Sequence, residues 1–145
     1  MNDQDHHATG IRLWNDWTTM WNERPQLARD LVADGFVLHL AAPSAVVPAT
    51  IDGPLAVERW VTAHRAKFDR LEFRTLCGPF VDVRAGVVAG PWIADAVVAG
   101  APVAICGMDT IGFRDGKITE YWTLSTRVDA VGEWGRAANL AGHGG

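Results

Sequence analysis

Few side chains in this sequence suit both acid–base chemistry and an apolar setting, and Asp109 is the first of them. In the run Cys106 to Phe113, strand alternation sets Asp109 on the same side as Gly107, Ile111 and Phe113. A carboxyl among small and apolar neighbours is either a buried structural acid or a tuned one. Burial disfavours its charge and raises its pKa, so it can protonate or hydrogen-bond a developing enolate. His64 is the second, one turn after Trp60 on the apolar face of a helix. It is either a core imidazole or an acid–base group near physiological pH. The third feature is tryptophan: seven, against one Tyr and five Phe. Trp14, Trp17 and Trp21 crowd into eight residues. An indole packs a large apolar surface and carries one N–H that wants a partner when buried. Such a stripe is a core face or the wall of a pocket. Trp60, Trp92 and Tyr121 are further candidates for that wall.

These residues need elements to position them. Between Ile11 and Asn22, Leu13, Trp14, Trp17, Met20 and Trp21 fall within an arc of about 120°, which predicts an amphipathic helix. Pro25 suits the first turn of a second helix running through Val32 and ended by Asp34-Gly35. Phe36 to Leu40 reads as a strand and 41–52 as a loop. Gly53-Pro54 opens a third helix whose Val57, Trp60, Val61, His64 and Phe68 share a face. Strands follow over 71–77, 80–84, 86–97, 102–113 and 117–126, with Asp115-Gly116 as a hairpin turn. Pro91 suggests an edge or bulge position beside Trp92. A short helix is possible over 128–138. Helices segregated from a run of strands predict an α+β fold: three N-terminal helices packed on a strongly curved, mostly antiparallel sheet that forms a cone-shaped α+β barrel.

Length and composition bound the rest. At roughly 100–200 residues per domain, 145 residues predict one domain over 10–140, with disordered tails at 1–9 and 141–145. The chain is 48% hydrophobic and 21% charged, enough for a sizeable core. A net charge of −4 argues against nucleic acid. No apolar run is long enough to predict a membrane span, and the polar start lacks the features of a secretory signal, so a cytoplasmic location is expected. Cys77 and Cys106 have no CxxC spacing and read as strand residues rather than a disulfide pair. HExxH, a Cys/His cluster and a phosphate loop are absent as motifs, so no metal and no cofactor are expected. Ser125 has no motif partner for a nucleophilic triad.

The segment 107–122, GMDTIGFRDGKITEYW, resembles the C-terminal hairpin of the nuclear transport factor 2-like superfamily, and within it the SnoaL-like group. Trp21-Asn22, the stretch Ala33 to His39 and the stretch Ile51 to Val57 match the same group in order, so that the resemblance spans about 11–127. It implies a cone of three helices on a curved sheet, usually dimeric through that sheet. Asp109 matches the proton-donating Asp of ketosteroid isomerase and the pocket His of SnoaL-type polyketide cyclases. Trp17 matches the oxyanion-holding Tyr of that isomerase, and His39 a position where the group often has His. Dehydratases of this fold use a His with an Asp, which suggests a His64/Asp109 pair.

The departures matter as much. The isomerase's general base aligns with Leu40, and the cyclase's catalytic Asp aligns with Thr123. The Arg-x-Asp of limonene epoxide hydrolase has no counterpart around Trp92 to Asp95. Three functions are therefore expected in turn. The first is a cofactor-free cyclase, isomerase or dehydratase for a hydrophobic, carbonyl-bearing small molecule, with Asp109 as acid and His64 as base. Trp14, Trp17, Trp21, Trp60, Trp92, Tyr121, Thr123 and His39 would then bind substrate. The second is a binding module without turnover. The third is a dimeric protein-interaction domain whose cone is filled by its own side chains. A homodimer is expected in any case.

Overall fold

The computed structural model describes residues 2–40 and 51–128, with the side chains of Leu40 and Val128 excepted. Helix α1 spans Asp3–Asn22. It begins eight residues before the expected Ile11, so most of the segment anticipated as a tail is helical. The cause is local: Asn2 Oδ1 accepts from the Asp5 N–H at 2.9 Å, and Asp5 Oδ2 accepts from the Asn2 N–H at 3.3 Å. This reciprocal cap satisfies donors that the first turn leaves free, and Asp3 and Asp5 suit its positive end. Leu13, Trp14, Trp17, Met20 and Trp21 are all buried, as the helical period requires.

The second helix is shorter than its pattern implied. A 3-10 turn over Pro25–Leu27 leads into α2 at Ala28–Leu31, and the strand β1 takes over at Val32 and runs to Leu40. Val32 pairs with Ile118 and Val37 with Glu120, so five steps along β1 match two along its partner. Asp34-Gly35 lies in that bulge instead of capping a helix. Pairing with a strand 86 residues away overrides the local stop signal (118 − 32). Helix α3 spans Pro54–Arg65 with Pro54 in its first turn. Val57 and Val61 are buried, while Trp60 and His64 are half-buried.

Five strands follow: β2 (Arg70–Thr75), β3 (Phe80–Asp82), β4 (Val87–Val98), β5 (Ala101–Arg114) and β6 (Lys117–Val128). The sheet order is β1-β6-β5-β4-β2, with β3 also on β4. Only β1–β6 is parallel. Asp115 and Gly116, both at positive φ, make the expected β5–β6 hairpin turn. Pro91 lies inside β4, a central strand, where its missing donor ought to cost a ladder bond. Its carbonyl accepts from Leu76 N–H at 3.0 Å, on the side where β2 has ended and β3 has not begun. The proline thus occupies a local edge within a long strand.

The architecture is α+β: three helices cover one face of a six-stranded mixed sheet. The sheet is open, because β1 and β2 end the order without pairing to each other, so it is cone-like rather than a closed barrel. Leu13 and Met20 of α1, Val57 and Val61 of α3, and Val88, Ile111 and Ile118 of the sheet fill the centre. Among the described residues no helix is long and apolar enough to cross a membrane. The helix anticipated over 128–138, the tail at 141–145 and most of the loop at 41–52 lie outside the described residues.

Candidate active site

A partly open cavity of about 290 Å³ lies between the inward side of the sheet and the aromatic face of α1. Strand alternation supplies one wall. On β5 and β6 the inward positions are Gly107, Asp109 and Ile111, with Tyr121, Thr123 and Ser125. Asp109 and Thr123 are directly opposed across the two strands. Tyr121 and Thr123 therefore both reach the same carboxylate. Tyr121 Oη donates to Asp109 Oδ2 at 2.6 Å, and Thr123 Oγ1 donates to Asp109 Oδ1 at 2.8 Å.

Asp109 is the one buried charged or polar side chain of the described core, at 6% exposure. Burial pushes its carboxyl above the ordinary value, against the opposing effect of donors from Tyr121, Trp92 and Thr123. The phenol of Tyr121 is held well above its usual range, first by burial and then by the Asp109 charge and hydrogen bond. The pair can keep a proton at neutral pH, either on the phenol or shared with the carboxyl.

Helix α1 supplies the opposite wall. Trp14 Nε1 donates to Thr75 Oγ1 of β2 at 2.8 Å. Trp17 lies against Tyr121, with ring centroids 4.8 Å apart. Trp21 meets Trp60 edge-on at 5.1 Å and His64 edge-on at 5.5 Å. Trp92, from β4, completes the enclosure against Phe73 at 5.1 Å. Asn22 fixes the helix to the sheet edge. Its Nδ2 donates to the Phe73 carbonyl at 2.8 Å, and its Oδ1 accepts from the Phe73 N–H at 2.7 Å.

Trp14, Trp17, Trp21, Trp60, Trp92, His64, Asp109, Tyr121 and Thr123, distant in sequence, all line this one cavity. His39 does not join them. It lies on the outward side of the sheet, stacked on Trp122 at 4.7 Å with its Nε2 3.0 Å from Glu120 Oε2. The cause is the period of two along β1: buried Leu38 points inward, so its neighbour points out. Asp109 and His64 both line the cavity, but no hydrogen bond joins them; the donors to Asp109 are Tyr121 and Thr123. Burial, then nearby Lys67, lowers the His64 pKa and favours the neutral ring.

Sequence reasoning missed several contributors to the site, Thr75, Ser125 and the close approach at Gly107 among them. Thr75 shares the inward side of β2 with Leu71 and Phe73, a period-two signal that was available. Ser125 follows Tyr121 and Thr123 in the same way. Gly107 had no signal of its own. A Cβ there would lie 2.6 Å from Trp92 Cζ2 and 2.5 Å from the Leu124 carbonyl oxygen, so only glycine lets the Trp92 indole rest on β5.

No protein-family description matches the sequence, and no curated protein is similar to it in sequence. Solved structures are similar in fold. A protein from Acidithiobacillus ferrooxidans assigned as a polyketide cyclase superposes with a TM-score of 0.68 at 18% identity, over 90% of this chain and 95% of that one. One from Agrobacterium tumefaciens, assigned as an isomerase of the SnoaL-like family, gives 0.64 at 17% identity, over 82% and 98%. A Catenulispora acidiphila protein with a ketosteroid isomerase-like fold, solved with trimethylamine, gives 0.64 at 16%, over 77% and 83%.

Proposed function

The chain has the nuclear transport factor 2-like fold, shared with SnoaL-like and ketosteroid isomerase-like proteins, and on it we propose a cofactor-free acid–base enzyme. It would act as a cyclase, isomerase or dehydratase on a hydrophobic, carbonyl-bearing small molecule. The observation that carries this reading is Asp109: a buried carboxyl, raised above its ordinary pKa, at the wall of a cavity lined with indoles. A neutral carboxyl there can donate to the carbonyl oxygen of a bound ketone and stabilise its enolate. His64, at the same cavity and favoured neutral by burial, would take the α-proton. The aromatic walls would hold a flat ring system and exclude water.

The test needs no knowledge of the natural substrate. Exchange of α-protons for deuterium is followed by NMR on a panel of cyclic ketones that bind the protein. The enzyme reading expects catalysed exchange that falls by at least ~100-fold in Asp109→Asn, with ligand affinity changed far less. A second reading, binding without turnover, has one observation in its favour. The cyclase's catalytic position is here Thr123, which donates to Asp109 rather than accepting a proton. Ketones that bind without any catalysed exchange would establish that reading instead.

The same fold presents a second surface. Outward-facing Met108 and Leu124 form a cross-strand pair, Trp122 precedes Leu124 on the same side of β6, and these three and Val37 of β1 are exposed. We read this face as the contact between two copies of the chain, each sheet packing on the other.

A further inference from the structure

The lining of the cavity is uneven in charge. Lys67 and Arg74 are its cationic residues and Asp109 its acidic one. The charge of Arg74 is answered elsewhere: its Nε lies 3.7 Å from Asp95 Oδ2 of β4, and both side chains are exposed. Asp109 is buried, with its carboxyl pushed toward the neutral form. Lys67 remains. It is exposed and joins no ion pair among the described residues.

A tight turn places it. Just beyond α3, the Lys67 N–H donates to the His64 carbonyl at 3.2 Å, and the Phe68 N–H to the Arg65 carbonyl at 3.1 Å. Residues three apart in such a turn lie one above the other, so Lys67 projects on the side of His64. Its charge is felt at the imidazole, which Trp21 meets edge-on. The ammonium thus stands where the cavity meets solvent, while Asp109, at 6% exposure, lies at its buried end.

This arrangement gives the ligand a polarity. A cavity of about 290 Å³ is small and suits one or two rings, which its indoles would hold. A negative group fits at the outer end, where it meets a free ammonium and keeps part of its hydration. A positive group there would meet a like charge. The chain as a whole carries a net charge of −4, so attraction of an anion must come from a local cation. Resting on the reading of this cavity as a ligand site, we infer that the ligand is a small ring compound bearing a carboxylate, which Lys67 binds at the cavity mouth. Lys67 is a specificity determinant that selects an acid over its amide and disfavours an amine.

The experiment uses three probes that share a ring system: 1-naphthylacetate, 1-naphthylacetamide and 1-naphthylmethylammonium. Their binding is measured by isothermal titration calorimetry at low ionic strength. The acetate is expected to bind about three- to fivefold more tightly than the amide, the worth of a partly exposed ion pair. The ammonium probe should bind most weakly, and high salt should erase most of the preference. In Lys67→Gln the acetate and the amide should bind alike. Arg84→Gln, which removes the same charge from the turn after β3, should keep the preference. Equal affinities for acetate and amide in the wild type, tighter binding of the ammonium probe, or an equal loss of preference in both variants would overturn the inference and leave the cavity reading intact. Lys67 would then serve only the negative end of α3. If no probe binds, the cavity reading falls and the inference falls with it. The central comparison is made on the wild-type protein, so a variant that folds poorly does not remove the test.

Discussion

At the scale of single residues, Asp109 carries a consequence for stability as well as chemistry. Its carboxyl is pushed up from an ordinary value of 3.8, so the folded protein binds that proton more tightly than the unfolded chain does. The stabilisation this provides is complete below the unfolded value and is lost as pH rises through the higher folded one. Asp109→Asn removes that dependence while keeping the shape. The stability difference, wild type minus variant, should fall steadily from acidic to neutral pH in urea titrations. A difference that stays flat would mean that folding leaves the Asp109 pKa unchanged, and one that rises with pH that the fold lowers it. Asp109 and the tryptophans were legible as candidates because their neighbours in sequence are apolar and periodic. Tyr121 and Thr123 as the partners of Asp109 were not, because that contact depends on the register of two strands.

Elements are where local signals and tertiary pairing compete. The α1 face was readable from the 3.6-residue period alone, but its start was not. A polar segment carries no hydrophobic period, and its helicity rests on the Asn2–Asp5 cap. The Asp34-Gly35 signal pointed to a helix end, and pairing with β6 turned it into a bulge. Gly107 shows the same dependence at one position. Gly107→Ala should destabilise by about 1–3 kcal/mol through overpacking against Trp92 and the Leu124 carbonyl. Gly35→Ala meets nothing within 4 Å and should be neutral, or stabilising by up to ~1 kcal/mol. Equal costs at the two positions in urea unfolding would contradict the close approach of the indole to β5.

For the whole molecule, the sheet has two faces of different character. The inner face carries the cavity and the outer face carries Val37, Met108, Trp122 and Leu124. Leu124→Glu puts a charge at the centre of that outer patch, where burial against a second copy would be expensive. The wild-type protein should sediment as a dimer at micromolar concentration and the variant as a monomer that keeps the far-UV circular dichroism of the wild type. A wild-type monomer under those conditions would dismiss the dimer. The two faces also explain His39, which stacks on Trp122 outside the cavity.

Hydrophobic period and turn chemistry, which act over a few residues, were enough to read the aromatic face of α1, the third helix and the β5–β6 hairpin. The sequence by itself also determined that one acid would be buried among apolar neighbours. That Tyr121 and Thr123 are the donors reaching that acid was settled by the folded arrangement. That outcome follows from strand register, which is settled by packing among distant segments and which no local pattern encodes.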